Sequence, residues 1–465
     1  MTAAAKPNVI LILADDLGYG DAGCFGNPDI RTPHIDRLAN AGVRLTQHYS
    51  ASPLCAPARG ALLTGCYNHR TGALSVESNR GLDRISRTFR TVADMFRSCG
   101  YRTGMVGKWH SGLFDMRYHP NSRGFHEFTG FLNGGMDYYD WILDRNGTPF
   151  RTDGRYLTDV FTDEAEGFIL RNRNTPFFLH LAYNAPHSPL QAPEEDIKPF
   201  RETDAFNMGV STLYGMIRRM DAGIGRIAET LEHNGLLDNT IILFTSDNGP
   251  WLGRDGETGH EMMRYNGPFR GQKQDVLEGG IRVPAVVHWP GGLEGGREVH
   301  EMVHFCDWMV TLLQACECTC PDTDGINMLH TLRGDPGKSP CQRFWQFNRY
   351  EPVMQCNGAM RDGEWKLYIP RIPEAMRKQE QDGDWYRRMF TEPHFETDLP
   401  DPHFIERTLS EPSSPELYNI NNDPHEDSNL AQTHPDRLNA MAHAYETWFE
   451  RVQAERNALP EYGDG

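Results

Sequence analysis

The sequence contains no long hydrophobic run, no block of consecutive basic residues and no internal repeat. Its longest early apolar run, residues 9–13, is strand-sized and far shorter than the roughly 20 residues of a membrane-spanning helix. The formal net charge of −18 gives nucleic acid no basic surface to bind. We therefore expect neither a membrane nor nucleic acid as a partner.

The first residues, Met-Thr-Ala-Ala-Ala-Lys-Pro-Asn, lack the apolar centre of a secretory signal. This composition predicts a cytoplasmic protein. If a leader has been trimmed from the sequence, the expectation changes to a periplasmic or secreted one.

Cysteine is too scarce for a disulfide scaffold, with ten residues in a chain of 465. Cys316, Cys318 and Cys320 lie close together, but His300 and His304 do not complete a zinc-ribbon spacing. We interpret the three cysteines as thiols at a helix end and in the loop that follows, rather than as a metal site.

What the sequence does contain is typical of a soluble globular protein, with 38% hydrophobic and 11% aromatic residues. Its length predicts a large domain and a smaller one. The character of the sequence changes near Gly337, so we predict a catalytic domain over residues 1–337. We predict an α+β subdomain over residues 338–465, with a small antiparallel sheet and a terminal helix that begins at Pro435.

A short stretch around Cys55 combines three features that suit an anion. Pro57 predicts the beginning of a helix, since proline is accepted in a first turn, and Gly65 predicts its end. Cys55 then lies at the helix N-terminus, where free N–H groups and the dipole favour negative charge, and Arg59 projects from the same face. The alternative is a buried structural cysteine beside an ordinary helix start.

Apolar runs over residues 8–14, 103–106, 176–183 and 240–245 predict buried strands of a large, mostly parallel sheet between helices, an α/β fold. Such sheets place ligands at the carboxyl ends of their strands. The polar residues that follow these four runs are Asp15, Asp16, Lys108, His110, His187, Asp247 and Asn248. Each could instead be a simple turn, cap or surface residue.

The aspartates and the asparagine among them form an all-oxygen set, which suits Ca²⁺ or Mg²⁺ rather than zinc. Three carboxylates crowded together also repel one another in the absence of a cation. We therefore predict a divalent cation at this edge of the sheet.

The order of the motifs resembles that of the type I sulfatases over residues 8–290. The motifs are Ala-Asp-Asp-x-Gly, Cys-x-Pro-x-Arg, Gly-Lys-Trp-His, Pro-His-x-Pro, Ser-Asp-Asn-Gly, Lys273 and Glu-Gly-Gly-x-Arg-Val-Pro. The segment Glu-Leu-Tyr-Asn at residues 416–419 is similar to the second domain of that family. Residues 124–128 and 130–139 most resemble the N-acetylgalactosamine-4-sulfatase (arylsulfatase B) branch. Ala58 replaces the serine common in the cysteine motif, and the loop 249–271 is longer than in that branch.

The resemblance implies an alkaline-phosphatase-like fold and a hydrolase that cleaves sulfate from a sulfated carbohydrate or aryl sulfate. It implies that a formylglycine-generating enzyme oxidises Cys55 to formylglycine, whose hydrated aldehyde is the nucleophile. It also implies a bound Ca²⁺, with Mg²⁺ as the second choice. The implied metal ligands are Asp15, Asp16, Cys55, Asp247 and Asn248.

The resemblance assigns catalytic roles to Cys55, Arg59, Lys108, His110, His187, Asp247 and Lys273. Asp247 would take the proton of the attacking hydroxyl, and His187, helped by Lys273, would protonate the departing alcohol. Arg59 and Lys108 would stabilise the aldehyde hydrate, and His110 would accept the proton of its second hydroxyl.

Two other functions remain open at this point, a phosphonate or phosphate monoester hydrolase of the same superfamily and a non-enzymatic anion- or glycan-binding relative. Polar residues in loops near the motifs are candidates for contacts with the sugar. They are Asn133, Asp137, Tyr138, Arg254, His260, Arg264 and Tyr265.

Overall fold

The computed structural model describes residues 6–113, 115–335, 342–391 and 405–461. Its strands are β1 (Asn8–Ala14), β2 (Val43–Leu45), β3 (His48–Tyr49), β4 (Arg102–Lys108), β5 (Glu127–Phe131), β6 (Ile142–Arg145), β7 (Thr148–Arg151), β8 (Phe177–Ala182), β9 (Thr240–Ser246), β10 (Ala285–His288), β11 (Arg297–Val299), β12 (Val303–His304), β13 (Gln342–Gln346), β14 (Gly358–Asp362), β15 (Trp365–Ile369) and β16 (Glu416–Asn419).

Its α-helices are α1 (Pro33–Ala41), α2 (Cys55–Thr64), α3 (Asn68–Thr71), α4 (Val92–Ser98), α5 (Leu157–Asn172), α6 (Glu194–Arg201), α7 (Met208–His233), α8 (Glu278–Ile281), α9 (Phe305–Ala315), α10 (Leu329–Arg333), α11 (Pro373–Met376), α12 (Glu380–Thr391) and α13 (Pro435–Asn457).

A ten-stranded mixed sheet runs through the molecule in the order β11-β2-β10-β9-β1-β8-β4-β5-β6-β7. The neighbours β9, β1, β8, β4 and β5 are mutually parallel, and antiparallel strands lie at both sides of this group. The four predicted strands are therefore adjacent, and their carboxyl ends lie side by side. This confirms the predicted α/β fold with a large, mostly parallel sheet.

The sheet is buried on both faces, which is why its central strands are continuously apolar. Alternate residues of β1 enter two separate hydrophobic cores, with Leu11 in one and Ile10 in the other. Residues from α2, α4, α9 and α13 share the core with Leu11, and residues from α1, α5 and α7 share the core with Ile10. Helices thus cover each face.

A glycine allows two of the central strands to approach closely just before they reach the site. Gly107 has a φ of +107°, and a Cβ at this position would lie 1.9 Å from the carbonyl oxygen of Ala182. A side chain there would separate β4 from β8. The next residue, Lys108, is the last of β4 and points its ammonium group into the site.

A four-stranded antiparallel sheet, β13-β14-β15-β16, forms the C-terminal region together with α13. Met360, Leu367 and Leu417 of this sheet enter the same core as Leu11 of the large sheet. Trp448 of α13 packs edge-on against Tyr67, with ring centroids 5.3 Å apart. The predicted boundary at residue 337 lies outside the described residues and stays a prediction.

Buried charges also join the two sheets. Lys366 of β15 contacts Glu278 of α8 at 3.0 Å and Glu426 at 2.9 Å, and all three side chains are buried. Glu278 in addition accepts a hydrogen bond from Tyr49 at 2.7 Å. Removal of one partner from such a cluster leaves an uncompensated buried charge, which is costly. The cluster therefore holds α8 in position, next to the loop that carries Lys273.

Four details of the sequence interpretation were wrong. Helix α2 begins at Cys55 rather than at Pro57, which is its third residue. The sequence from Leu45 to Ser50 predicts one strand that leads into the Cys55 loop, but the structure has two short strands here, β2 and β3. The sequence from Glu301 to Cys316 predicts a helix, but α9 begins at Phe305, because residues 303–304 pair with β3 instead.

The fourth correction concerns the cysteines. Cys318 is not a thiol but forms a disulfide with Cys99. Sequence spacing gave no signal for it, because 219 residues separate the two half-cystines. Cys316 and Cys320 are free, as predicted. Among the described residues no helix combines the length and the apolarity that crossing a lipid bilayer requires.

Candidate active site

The carboxyl ends of the central strands converge on one buried cluster. Asp15 and Asp16 follow β1, Asp247 and Asn248 follow the neighbouring β9, and all four are buried. The backbone locks the two loops together, because the Asp16 N–H donates to the Asp247 carboxylate at 3.1 Å and the Asp247 N–H donates to the Ala14 carbonyl at 3.1 Å.

Cys55 reaches this cluster from the first turn of α2. Its side chain is buried, and its Sγ lies 3.6 Å from Oδ1 of Asp15. Burial raises the pKa of the Cys55 thiol to about 12, although the charges of Lys108 and Lys273 oppose that rise. An unmodified Cys55 is therefore protonated at neutral pH and is a poor nucleophile.

Three basic residues face the three aspartates. Lys108 Nζ lies 2.6 Å from Oδ2 of Asp15. Arg59 donates from Nε and Nη2 to Oδ2 of Asp247 at 3.0 and 2.7 Å, and its Nη2 is also 3.7 Å from Asp15. Arg59 projects from the same helical face as Cys55, as its spacing predicts.

Asp16 is the third carboxylate of the cluster. Its Oδ2 accepts from Lys273 Nζ at 2.7 Å and lies 3.7 Å from His187 Nε2, while its Oδ1 accepts from Asn248 Nδ2 at 2.7 Å. Burial acts to raise the pKa of Asp16, but the charge of Lys273 and the hydrogen bonds from Lys273 and Asn248 outweigh it and lower the pKa below its usual range. Asp16 is therefore ionised.

Asp247 behaves differently from Asp16. Burial raises its pKa to about 6, and the neighbouring charge of Asp15 adds to the rise, although Arg59 opposes it. Two carboxylates close to each other thus have pKa values displaced in opposite directions, which is typical of a catalytic site.

The charges of the cluster already balance, since three carboxylates meet three bases. The three carboxylates therefore do not need a cation to offset their mutual repulsion, because Lys108, Arg59 and Lys273 pair with them. A divalent ion would leave this cluster with a net positive charge, which suits an anionic ester.

Two other observations support a cation. Ligand atoms of Asp15, Asp16, Cys55 and His187 all lie within 4.8 Å of one another. Oδ1 of Asn248 is buried and makes no hydrogen bond to any of the described residues, so it is an oxygen donor that lacks a partner. Carboxylate and amide oxygens are the donors that Ca²⁺ and Mg²⁺ prefer, so the residues present fit such an ion.

Two histidines complete the cluster. His187 lies in the loop after β8 between the cis bonds 185–186 and 188–189, and its Nδ1 is 2.7 Å from the Ser188 carbonyl. Burial lowers its pKa to about 3, and the charge of Lys273 adds to that shift. His110 is also buried, and neither of its ring nitrogens makes a hydrogen bond to the described residues.

Comparisons with known proteins agree with this geometry. The family model described as Sulfatase matches residues 7–317. The chain belongs to the sulfatase family. It is 36% identical to the human N-acetylgalactosamine-6-sulfatase over 360 residues, which cover 71% of this chain and 66% of that protein. It is 31% identical to the rat steryl-sulfatase over 453 residues, which cover 78% and 76%.

Solved structures give the same result. The crystal structure of Ps i-CgsB in complex with k-i-k-neocarrahexaose has a TM-score of 0.78 and 30% identity, and the match covers 98% of each chain. The phosphonate monoester hydrolase of Agrobacterium radiobacter has a TM-score of 0.63 at 20% identity, over 97% of this chain and 96% of that one, and it shows the fold alone. The chain is a sulfatase, a hydrolase of sulfate esters. The assignment to the N-acetylgalactosamine-4-sulfatase branch stays a prediction.

Two pockets open onto the cluster of this sulfatase, and His187, Lys273 and Gln274 line both of them. The first pocket is walled by Leu213, Trp251, Met262 and Arg264. The second, of about 180 Å³, contains Cys55 and His110 and is also lined by Leu54, Val76, Gly134, Arg349 and Lys378.

Three of the predicted sugar-contacting residues are fixed within the protein. Tyr138 is fully buried, and its hydroxyl donates to the carbonyls of Asn184 and His187 at 2.8 and 2.9 Å, so it supports the His187 loop. Asp137 accepts from two N–H groups of its own turn and from Gln191. Arg264 forms two 2.7 Å contacts with Asp21, although it does line the first pocket.

The other four candidates lie around the loops. Asn133 is buried just after β5, and Arg254 is exposed and pairs with Glu261 at 2.7 Å. His260 and Tyr265 are exposed. None of these four lines either of the two pockets beside Cys55. Their role in binding a sugar stays a prediction.

Sequence reasoning missed several supporting residues. Ser246 Oγ accepts from the Leu17 N–H at 3.0 Å, which ties the two strand ends together. Its position directly before Asp247 was an available signal. The pocket residues Trp251 and Met262 lie inside the long loop 249–271, whereas Arg349 and Lys378 come from the C-terminal region, where no motif marks them.

Proposed function

We propose that this sulfatase removes sulfate from a sulfated saccharide, with the oxidised form of Cys55 as nucleophile and a calcium ion in the acidic cluster. The observation that carries the proposal is the position of Cys55. It lies at a helix N-terminus, 3.6 Å from Asp15, in a pocket that His110, His187 and Lys273 also line. A thiol that served only as core packing would not meet these groups.

Asp15, Asp16, Asp247 and Asn248 would hold the calcium ion, with Mg²⁺ as the second choice. When bound, the ion supplies a positive charge that polarises the sulfate oxygens. Lys273 places a further positive charge beside Cys55, since its Nζ is already held at Asp16. Burial opposes the charged form of Lys273, but Asp16 keeps its pKa well above the ordinary value, so it stays a cation.

Formylglycine at position 55 would supply a hydrated aldehyde as the nucleophile, a group that the unmodified cysteine lacks. Cys55 is only 2% exposed in the folded chain. We therefore infer that the formylglycine-generating enzyme acts before the chain folds around Cys55. The N–H groups at the start of α2 and the positive charge of Arg59 would favour negative charge on the oxygen atoms of this residue.

The histidines suit the transfer of protons. His187 Nδ1 faces the Ser188 carbonyl, which holds the ring so that Nε2 points into the site. We assign Nε2, next to Lys273, the delivery of a proton to the alcohol oxygen that leaves. For this step the bound anionic ester must raise the lowered pKa of His187, so that Nε2 carries a proton in addition to the one on Nδ1. Buried His110 lines the Cys55 pocket and is assigned the removal of a proton at position 55, and Asp247 is assigned as base for the attacking hydroxyl.

His187→Gln is expected to separate substrates by their leaving groups. On an alkyl or saccharide sulfate, whose alcohol must be protonated as it leaves, kcat should fall about 10²–10⁴-fold. On 4-nitrophenyl sulfate, whose phenolate leaves unaided, the decrease should be within about tenfold. Steady-state kinetics on both substrates measure this, with His443→Gln on the exposed face of α13 as control. Equal losses on the two substrates would contradict the assigned role.

A saccharide is the proposed substrate for two reasons. Relatives with this chain's fold include a structure determined with k-i-k-neocarrahexaose. The first pocket also offers Trp251 and Met262 beside the charged residues Asp16 and Lys273, an apolar wall next to an anion site. Sugars present such mixed surfaces, whereas a steroid would require a longer apolar cavity.

The second candidate is a phosphonate or phosphate monoester hydrolase, because the fold is shared with a phosphonate monoester hydrolase. Comparison of kcat/KM on 4-nitrophenyl sulfate and 4-nitrophenyl phenylphosphonate tests the choice. We expect the sulfate to be preferred by the metal-loaded, oxidised enzyme. A higher kcat/KM on the phosphonate would contradict the proposed function. The same assay excludes a purely glycan-binding relative if either ester is turned over.

We also propose that the chain resides in an oxidising compartment. Disulfides persist in the periplasm and outside the cell but are rare in the cytosol, and the fold contains the Cys99–Cys318 bond. This favours the periplasmic or secreted alternative over the cytoplasmic prediction.

A further inference from the structure

Gln274 lies where the two pockets beside the acidic cluster meet. It lines the first pocket together with Trp251 and the second together with Cys55. His187 and Lys273 also line both pockets, and they act on the leaving alcohol and on the sulfate. The side chain of Gln274 has neither a charge nor a proton to transfer, so it can act on a substrate only by binding it.

The backbone of Gln274 adopts a conformation that does not suit glutamine. Its φ is +75°, in the left-handed region that glycine enters freely. Its N–H donates to the Pro53 carbonyl at 2.8 Å, and its carbonyl accepts from Asn357 Nδ2 at 2.8 Å. A glycine would make the same two hydrogen bonds without strain, so the backbone of this turn does not require the glutamine side chain.

The same kind of strain occurs at two other residues of the site. Asp16 has a φ of +64° and His110 a φ of +51°. Non-glycine residues in this region persist where the surrounding structure holds them, and they are common at catalytic and ligand-binding sites. Gln274 shares this property with two residues that have assigned roles, which indicates that its side chain also has a function.

The side-chain amide of Gln274 is available to a ligand. The residue is partly buried, and its amide oxygen and nitrogen are accessible and make no hydrogen bond to any of the described residues. Its backbone N–H and carbonyl are both occupied, so the amide is the polar group that it offers to the pockets. An amide both donates and accepts hydrogen bonds, as a hydroxyl group does, so the two groups match.

The place where the pockets meet determines which part of the substrate this amide reaches. With the sulfate beside Cys55 and the sugar against Trp251, the carbon that bears the sulfate and its neighbours lie next to Gln274. We propose that the amide of Gln274 binds a hydroxyl group on the carbon adjacent to the sulfate-bearing one. The enzyme then selects saccharide sulfates with a free vicinal hydroxyl. The proposal rests on the proposed sulfatase function at Cys55.

Two aryl sulfates test this contact although the sugar is unidentified. They are 2-hydroxy-5-nitrophenyl sulfate and 3-nitrophenyl sulfate, which differ only in a hydroxyl next to the ester. The ratio of their kcat/KM values should fall about three- to tenfold from the wild type to Gln274→Gly, the loss expected for one hydrogen bond between neutral groups. The intrinsic reactivities of the two esters cancel, because both enzymes are compared on the same pair.

The thermal midpoint separates binding from a structural role. Gln274→Gly should keep the midpoint of the wild type or raise it, because glycine removes the backbone strain. Asp204→Gly is the matched control, since Asp204 is exposed, has a φ of +54° and lines neither pocket, and this variant should keep the ratio. If Gln274→Gly does not fold, Gln274→Asn decides, because asparagine tolerates the same backbone and its shorter side chain withdraws the amide.

An unchanged ratio in the Gln274 variant that folds overturns the proposal, and so does an equal fall in Asp204→Gly. If the wild-type chain hydrolyses neither ester, the proposed function fails, and calorimetric titration of both esters into the calcium-loaded Cys55→Ala chain measures binding alone. Selective weakening of the hydroxylated ester, about three- to tenfold, in the Cys55→Ala, Gln274→Gly chain supports the contact. Equal weakening of both esters, or no binding of the hydroxylated ester to the Cys55→Ala chain, overturns it.

Discussion

Replacement of Cys55 by alanine should lower kcat on 4-nitrophenyl sulfate by about 10⁴-fold or more, because it removes the proposed nucleophile, and the other groups of the site only assist the attack of that nucleophile. The chain with an unoxidised Cys55 should be as inactive, since burial keeps that thiol protonated. Activity should therefore scale with the fraction of chains in which mass spectrometry shows –CH2SH replaced by –CHO at position 55.

The matched control is Cys66→Ala, a change of another buried free cysteine that lies just beyond the end of α2. The Cys66→Ala chain should be less stable than the wild type, but its kcat per folded molecule with an oxidised Cys55 should be unchanged. Full activity in the Cys55→Ala chain, or activity unrelated to the oxidised fraction, would show that the nucleophile lies elsewhere.

Removal of divalent ions is the second change with a large expected effect. Dialysis against EGTA should reduce kcat/KM by about 10³-fold, since the charge that polarises the sulfate is lost, and CaCl2 should restore it. The thermal midpoint offers a readout without turnover. Calcium at 100 times its Kd should stabilise the folded chain by about 2.7 kcal/mol, seen as a rise of a few degrees.

Asp16→Asn should shift the calcium dependence of both readouts to higher concentrations, because a ligand carboxylate becomes neutral. Asp238→Asn makes the same chemical change at an exposed position and should shift neither. If neither EGTA nor EDTA, which also removes Mg²⁺, changes the rate or the midpoint of the wild-type chain, the acidic cluster does not hold a required ion, and the charges of Arg59, Lys108 and Lys273 suffice.

Much of the site followed from local sequence. The apolar runs that became β1, β4, β8 and β9 predicted buried parallel strands, and the polar residues after them were expected at one edge. The reason is geometric, since parallel neighbours end on the same side of a sheet. The convergence of Cys55 and Arg59 also followed from helical spacing, even though α2 begins two residues earlier than predicted.

Other features depended on contacts between distant parts of the chain. Local sequence predicted that Asp15, Asp16 and Asp247 repel one another, whereas the fold pairs each of them with a basic residue from another part of the chain. The Cys99–Cys318 bond and the placement of Arg349 beside Cys55 were likewise absent from any local pattern.

The sequence by itself determined which residue types stand at the strand ends and at the start of α2, because periodicity and turn chemistry act over a few neighbouring residues. Only the tertiary structure decided which charges pair, which cysteines bond and which C-terminal side chains wall the pocket. Those outcomes depend on packing between segments that lie far apart in the chain. The pattern of a few neighbouring residues does not reveal the free energy of such contacts.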